Sequence, residues 1–141
     1  MAAWVAALLA GLAASPAPAP ALDWPQFRGP ARDNVSAETG LLRAWPSGGP
    51  KVLWRTEVCD GYAGPAIRAG LVYLNDYDRK KGEHAVRCLS LADGKELWRW
   101  SYAVLIRPNH GITRTVPAVG EKMVFSLDPK CRLHAIDARH Q

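Results

Sequence analysis

The sequence predicts an all-β chain built from repeated four-stranded antiparallel units, and three observations carry that prediction. Leu53-Trp54-Arg55 recurs as Leu97-Trp98-Arg99, 44 residues on. Pro65-Ala66-Ile67 recurs as Pro117-Ala118-Val119, 52 residues on. No stretch after residue 42 carries apolar residues at the i, i+3, i+4, i+7 spacing of a helix; at most, Ser36 to Leu42 makes one helical turn.

The repeat extends through the residues between these markers. Leu71-Val72-Tyr73-Leu74 corresponds to Met123-Val124-Phe125-Ser126-Leu127, and the stretch from Val86 to Gly94 corresponds to Leu133 through Gln141 at an offset of 47. The offset changes because Asn75 to Ala85 reads as a longer loop than Asp128 to Arg132. Loop length varies at small entropic cost.

Within one unit the expected strands are A near Ala66 to Arg68, B near Leu71 to Asn75, C near Ala85 to Ser90 and D near Glu96 to Tyr102. Val, Leu, Ile, Tyr and Trp dominate these segments, as half-buried pleated surfaces prefer. Gly70 is the turn residue between A and B. Asp93-Gly94 is the expected tight type I′ turn between C and D, a turn in which both central residues take positive φ. The two Leu-Trp-Arg copies are expected to lie in the closing strands of successive units. Repeats of about 40 to 50 residues, each a four-stranded meander, describe blades of a β-propeller.

The first 21 residues stand apart. An uncharged apolar run from Trp4 to Leu12 leads into an Ala/Pro stretch ending Ala19-Pro20-Ala21. The run is short for a membrane span, and its form is that of a secretory signal cleaved before Leu22. The expected location is therefore periplasmic or secreted. No cysteine follows the run closely, so no lipid anchor is expected. Residues 22–50 form a lead-in segment, and 51–141 carry the repeats.

Of the 141 residues, 48% are hydrophobic and 22% charged, a globular composition. The net charge of +5 comes from scattered basic residues interleaved with acids. Arg79-Lys80-Lys81 is the one cluster, and it reads as a solvated hairpin tip. No nucleic-acid partner is expected. Cys59, Cys88 and Cys131 cannot all pair within the chain and form no CxxC metal pattern. Cys88 is expected to be a small buried residue.

No catalytic constellation and no metal site is expected. The acids Asp60, Asp76, Asp78, Glu83, Asp93, Glu96 and Asp137 fall mostly in turns without the spacing of a calcium loop. The histidines (His84, His110, His134, His140) include no metal pair, and His134 and His140 are expected to be surface or satisfied residues. The connection from strand D to the next strand A, Arg107 to Thr115, is expected on the same end as the B-to-C loops. Asp60-Gly61-Tyr62 is its equivalent one unit earlier. Binding residues ride on loops held by a rigid scaffold. Arg107, Asn109, His110, Arg114 and Thr115, with Asp60 and Tyr62, are therefore the candidate polar patch, its arginines receiving a carboxylate. The competing expectation is a solvated linker whose arginines cap turn carbonyls.

These residues resemble the pyrroloquinoline-quinone-type (PQQ-like) β-propeller repeat family, including its tryptophan-docking pattern A-x-D-x-x-T-G-x-x-x-W. The stretch Cys88 to Trp98 keeps the Gly (Gly94) and the Trp (Trp98). Ala135-Ile136-Asp137 keeps the Ala and Asp of the next copy, with His140 and Gln141 in place of Thr and Gly. Asp23-Trp-Pro-Gln-Phe-Arg-Gly-Pro-Ala-Arg-Asp-Asn-Val-Ser36 and Thr39 to Pro46 resemble the lead-in of exported bacterial members. The resemblance implies that Trp54 and Trp98 dock between blades. It also implies a chain holding one whole blade and parts of two others, an N-terminal fragment of a ring of about four to eight blades. The implied function is a non-catalytic binding scaffold, distantly similar to BamB-type propellers, for an unknown protein or small-molecule ligand. The alternative is a quinoprotein alcohol or sugar dehydrogenase holding PQQ and Ca²⁺, with no cofactor ligand of that class matched in this sequence.

Overall fold

A computed structural model describes residues 22–107 and 114–139. Residues 1–21, the expected signal, and Asn109, His110 and His140 lie outside the described residues.

Among the described residues all the regular structure is β. The first sheet runs β1 (Ala66–Arg68), β2 (Leu71–Asp78), β3 (Glu83–Ser90) and β4 (Glu96–Ala103) in simple meander order. The second runs β5 (Ala118–Val119), β6 (Met123–Leu127) and β7 (Leu133–Asp137), also in chain order. Every neighbouring pair is antiparallel, and within each sheet a short turn joins each strand to the next.

Three expectations need correction. Asn75 to Ala85 is not a loop: β2 and β3 extend into it, pairing Asn75 with Val86 through Asp78 with Glu83. Only residues 79–82 turn, because Tyr77 and His84 find apolar cover at that end and Asp78 Oδ1 accepts the Lys80 and Lys81 amides. Leu53-Trp54-Arg55 is not a strand, since no ladder partner lies beside it among the described residues. The Asp93-Gly94 turn is not type I′. Gly94 has φ 74°, Asp93 stays at negative φ, and the ladder shifts register between Cys88 and Leu89. The two-residue turn with both φ positive is Ala69-Gly70 (50° and 75°).

Strand alternation sorts the first sheet into two faces. Cross-strand neighbours Tyr73 and Cys88, Val86 and Asn75, with Trp98 and Trp100 of β4, share the face turned to the second sheet. Val119, Val124, Ile136 and Ala138 meet them there, forming the main core. Each fully buried aliphatic side chain contributes about 1.5–3 kcal/mol. A smaller cluster of Tyr77, Val104, Tyr102 and Ile106 closes the end near the β2–β3 turn.

The lead-in segment straps both sheets along their first strands. Trp24 exchanges two backbone hydrogen bonds with Ile67 (2.8 and 2.9 Å), and the Pro25 carbonyl accepts from the Val119 amide (2.8 Å). Asp23 Oδ1 takes the Ala69 amide at 2.8 Å. Ile67 and Val119 are 52 residues apart, so the strap meets equivalent positions of the two copies.

Candidate functional site

The indoles come first because they join the copies. Trp54 Nε1 donates to the Leu91 carbonyl (2.8 Å), and Trp98 Nε1 donates to the Ala138 carbonyl (3.1 Å). Leu91 follows β3 directly and Ala138 follows β7 directly, 47 residues apart. Each ring therefore seats on the turn after the third strand of the following sheet. Gly94 makes room for Trp54: a Cβ there would come 2.5 Å from the ring. Ala135 and Asp137 are exposed, and Asp137 caps the Arg139 amide at 2.8 Å.

Each copy also holds a buried aspartate that sequence reasoning missed. Asp76 at β2 and Asp128 just past β6 are 52 residues apart, so they are the same position of the repeat. Arg87 in β3 and His134 in β7 are likewise equivalent, 47 apart. In the first copy, Asp76 accepts from the Cys59 amide (2.8 Å) and Arg87 Nη1 (3.0 Å). Arg87 also reaches the Glu57 carbonyl (2.8 Å) and Glu96 (2.5 Å). These bonds tie residues 57–59 to the first sheet.

In the second copy, Tyr102 of β4 donates its hydroxyl to Asp128, and His134 Nε2 lies 3.0 Å from the same phenol oxygen. The same His134 nitrogen lies 3.5 Å from Asp128 Oδ2. Asp128 also accepts from Arg132 Nε (2.7 Å) and from the amides of Lys130 and Arg132. Burial pushes its carboxyl up, but these hydrogen bonds outweigh it and hold the group well below the usual carboxylate range. Tyr102 moves the opposite way: burial and then the hydrogen bond to Asp128 raise its hydroxyl. Trp100, Tyr102 and His134 pack with ring centroids 5.0 Å apart, and Arg132 covers the Tyr102 ring at 5.0 Å.

His84 sits behind this cluster, fully buried and edge-on to Tyr102 at 5.7 Å, with neither ring nitrogen hydrogen-bonded. Burial lowers it to about 4. The repeat alignment was the one signal available for the aspartates. It was hidden because carboxylates in an acid-rich, hydrophilic stretch read as solvated turn residues.

The expected polar patch is distributed more widely. Asp60 is held at the sheet end by its amide on the Tyr77 carbonyl (3.0 Å) and pairs with Arg79 at 2.6 Å. Val104 donates to the Gly82 carbonyl (2.7 Å), so residues 104–107 leave the sheet beside the same 79–82 turn. Tyr62 and Arg107 are exposed, and neither makes a hydrogen bond or ion pair with another described residue. Arg114 is exposed. Thr115 serves the interior instead. Its hydroxyl donates to the Leu127 carbonyl (2.6 Å), and its carbonyl accepts from Asn75, whose amide oxygen accepts from Ser126. Thr115 thus links β2 to β6 and is removed from the ligand patch.

Among the described residues no group of three or more His, Cys, Asp or Glu side chains is placed to hold a metal ion. The buried carboxylates do not fit a calcium–quinone site either. Calcium takes six to eight oxygens, whereas Asp76 and Asp128 already face N–H and O–H donors on both oxygens. The arrangement holds two sheets together and leaves Tyr62 and Arg107 exposed at one end. No family model matches the chain, and no curated protein matches it.

Proposed function

We propose that the two sheets are successive blades of a PQQ-like β-propeller and that the protein is an exported binding scaffold. The observation that carries this reading is the repeated docking of an indole N–H on the carbonyl just after the third strand of the next sheet. Stacking of like sheets also accounts for the far face of the second one. Leu133 is the counterpart of Val86, which is buried in the first sheet. It is 70% exposed, part of the surface on which a further blade would pack.

The binding end is the one carrying the 79–82 turn, residues 104–107 and Asp60. Tyr62, Arg107 and Arg114 are its exposed polar and aromatic side chains, suited to a carboxylate-bearing partner. Poly-L-glutamate is the direct probe. The protein should bind it, and Arg107→Ala with Arg114→Ala should weaken binding at least about tenfold at low salt. Unchanged binding by the double variant would remove this end from the site. Alcohol- or sugar-oxidising activity gained on adding PQQ and Ca²⁺ would replace the scaffold reading with the dehydrogenase one. Amino-terminal sequencing of the exported protein should begin at Leu22.

A further inference from the structure

The strap and the two sheets line a second site, independent of the polar end. An open groove of about 430 Å³ lies between Pro25 and Pro30 on the strap and Arg68, Val119, Gly120 and Phe125 on the sheets. That volume is within the range of small-molecule sites.

Its polar character follows from the strap. Trp24 satisfies both the amide and the carbonyl of Ile67, but at the equivalent Val119 the strap presents Pro25. The Pro25 carbonyl accepts the Val119 amide. Proline has no N–H to return, so the Val119 carbonyl, which points the same way as its amide, gets no donor from that residue. Gln26 does not fill the place, because its amide donates to the Pro30 carbonyl and accepts from Arg32. Arg68 is the charged group on the wall, half-buried, with no hydrogen bond or ion pair from its guanidinium to any described residue. A half-buried guanidinium recovers its lost hydration best from a carboxylate, which it can hold with two parallel hydrogen bonds. Phe125 and the two prolines supply the apolar surface.

The geometry points to a binding site for an acylated amino acid with an apolar side chain, the chemistry of a peptide C-terminus. The carboxylate meets Arg68, the amide N–H meets the Val119 carbonyl, and the side chain lies on Phe125 and Pro30.

Calorimetry on the full chain with N-acetyl-L-phenylalanine tests this. The acid should bind, and N-acetyl-L-phenylalaninamide, which lacks only the charge, should bind at least about tenfold more weakly, as should the acid to Arg68→Gln. Gly120→Val is the control on folding. Gly120 has ordinary φ, and a Cβ there meets nothing closer than the Met123 carbonyl at 3.5 Å, so this variant should keep its melting temperature while losing the ligand. Arg107→Ala should bind as the parent does, which separates this site from the polar end. Equal affinity for acid and amide, wild-type binding by Arg68→Gln, or no heat from either probe at about 10 mM would overturn the inference.

Discussion

The two seams of this molecule share one plan and use different chemistry. Residues 51–60 lie against the first sheet, and the first sheet lies against the second. Both seams place an indole on a turn carbonyl and a buried aspartate at the end of the second strand. The first seam has little apolar cover. Val52, Leu53 and Val58 are more than half exposed, so polar bonds centred on Arg87 do the holding. The second has the main core behind it, and there Asp128 pairs with Arg132 from the turn after β6 and reaches His134, at the position of Arg87, through Tyr102. The lesson is that the aspartate is the element common to both copies, while the side chains that satisfy it come from different positions of the repeat.

The largest expected effect tests that difference directly. Arg87→Ala leaves Asp76 charged and buried without its cation, so it should cost about 3–5 kcal/mol in denaturant unfolding. His134→Ala leaves Asp128 its bonds from Tyr102, Arg132 and two turn amides and should cost only about 1 kcal/mol. Equal losses would break the comparison. Next, Trp98→Ala opens the main core and should cost about 3 kcal/mol. Trp54→Ala should cost about 1–2 kcal/mol, since Trp54 lies outside that core and chiefly loses a turn contact.

A comparable effect comes from pH. His84 titrates near 4 in the folded protein against 6.5 in the unfolded chain, so the unfolded state takes up the proton first as pH falls. Stability should be complete above pH 6.5 and should decline by up to about 3 kcal/mol toward pH 4. Asp128, whose folded carboxyl lies below its ordinary range, adds its own loss only at lower pH. His84→Phe should flatten the melting temperature between pH 4 and 6.5; an unchanged slope would assign the effect to other groups. The smallest effect sharpens the turn geometry. Gly94→Ala combines a positive φ with a contact 2.5 Å from the Trp54 ring, and should cost about 1–2 kcal/mol while shifting Trp54 fluorescence.

Much of the fold was legible. The expected strands at Ala66–Arg68 and Met123–Leu127 have those bounds, and the expected C and D strands differ by one or two residues at their ends. Turn residues and two-residue alternation are local properties, so a short window of sequence carries them. The β2–β3 hairpin was misread because Asp76, Asp78 and Glu83 look like loop residues until Arg87 and the turn amides are brought to them. Thr115 was misread for the same reason: a threonine after an arginine in a connecting segment looks solvated, yet Asn75 is 40 residues away in sequence and one hydrogen bond away in space.

By itself the sequence determined an all-β chain, the repeat and the alternation that separates the faces of each strand, because these follow from backbone sterics and side-chain period. Only the tertiary structure decided which polar groups are buried, which pair across a seam and which remain free. Those outcomes depend on contacts between segments some 40 to 50 residues apart. No local pattern encodes the loss of hydration that makes such contacts form.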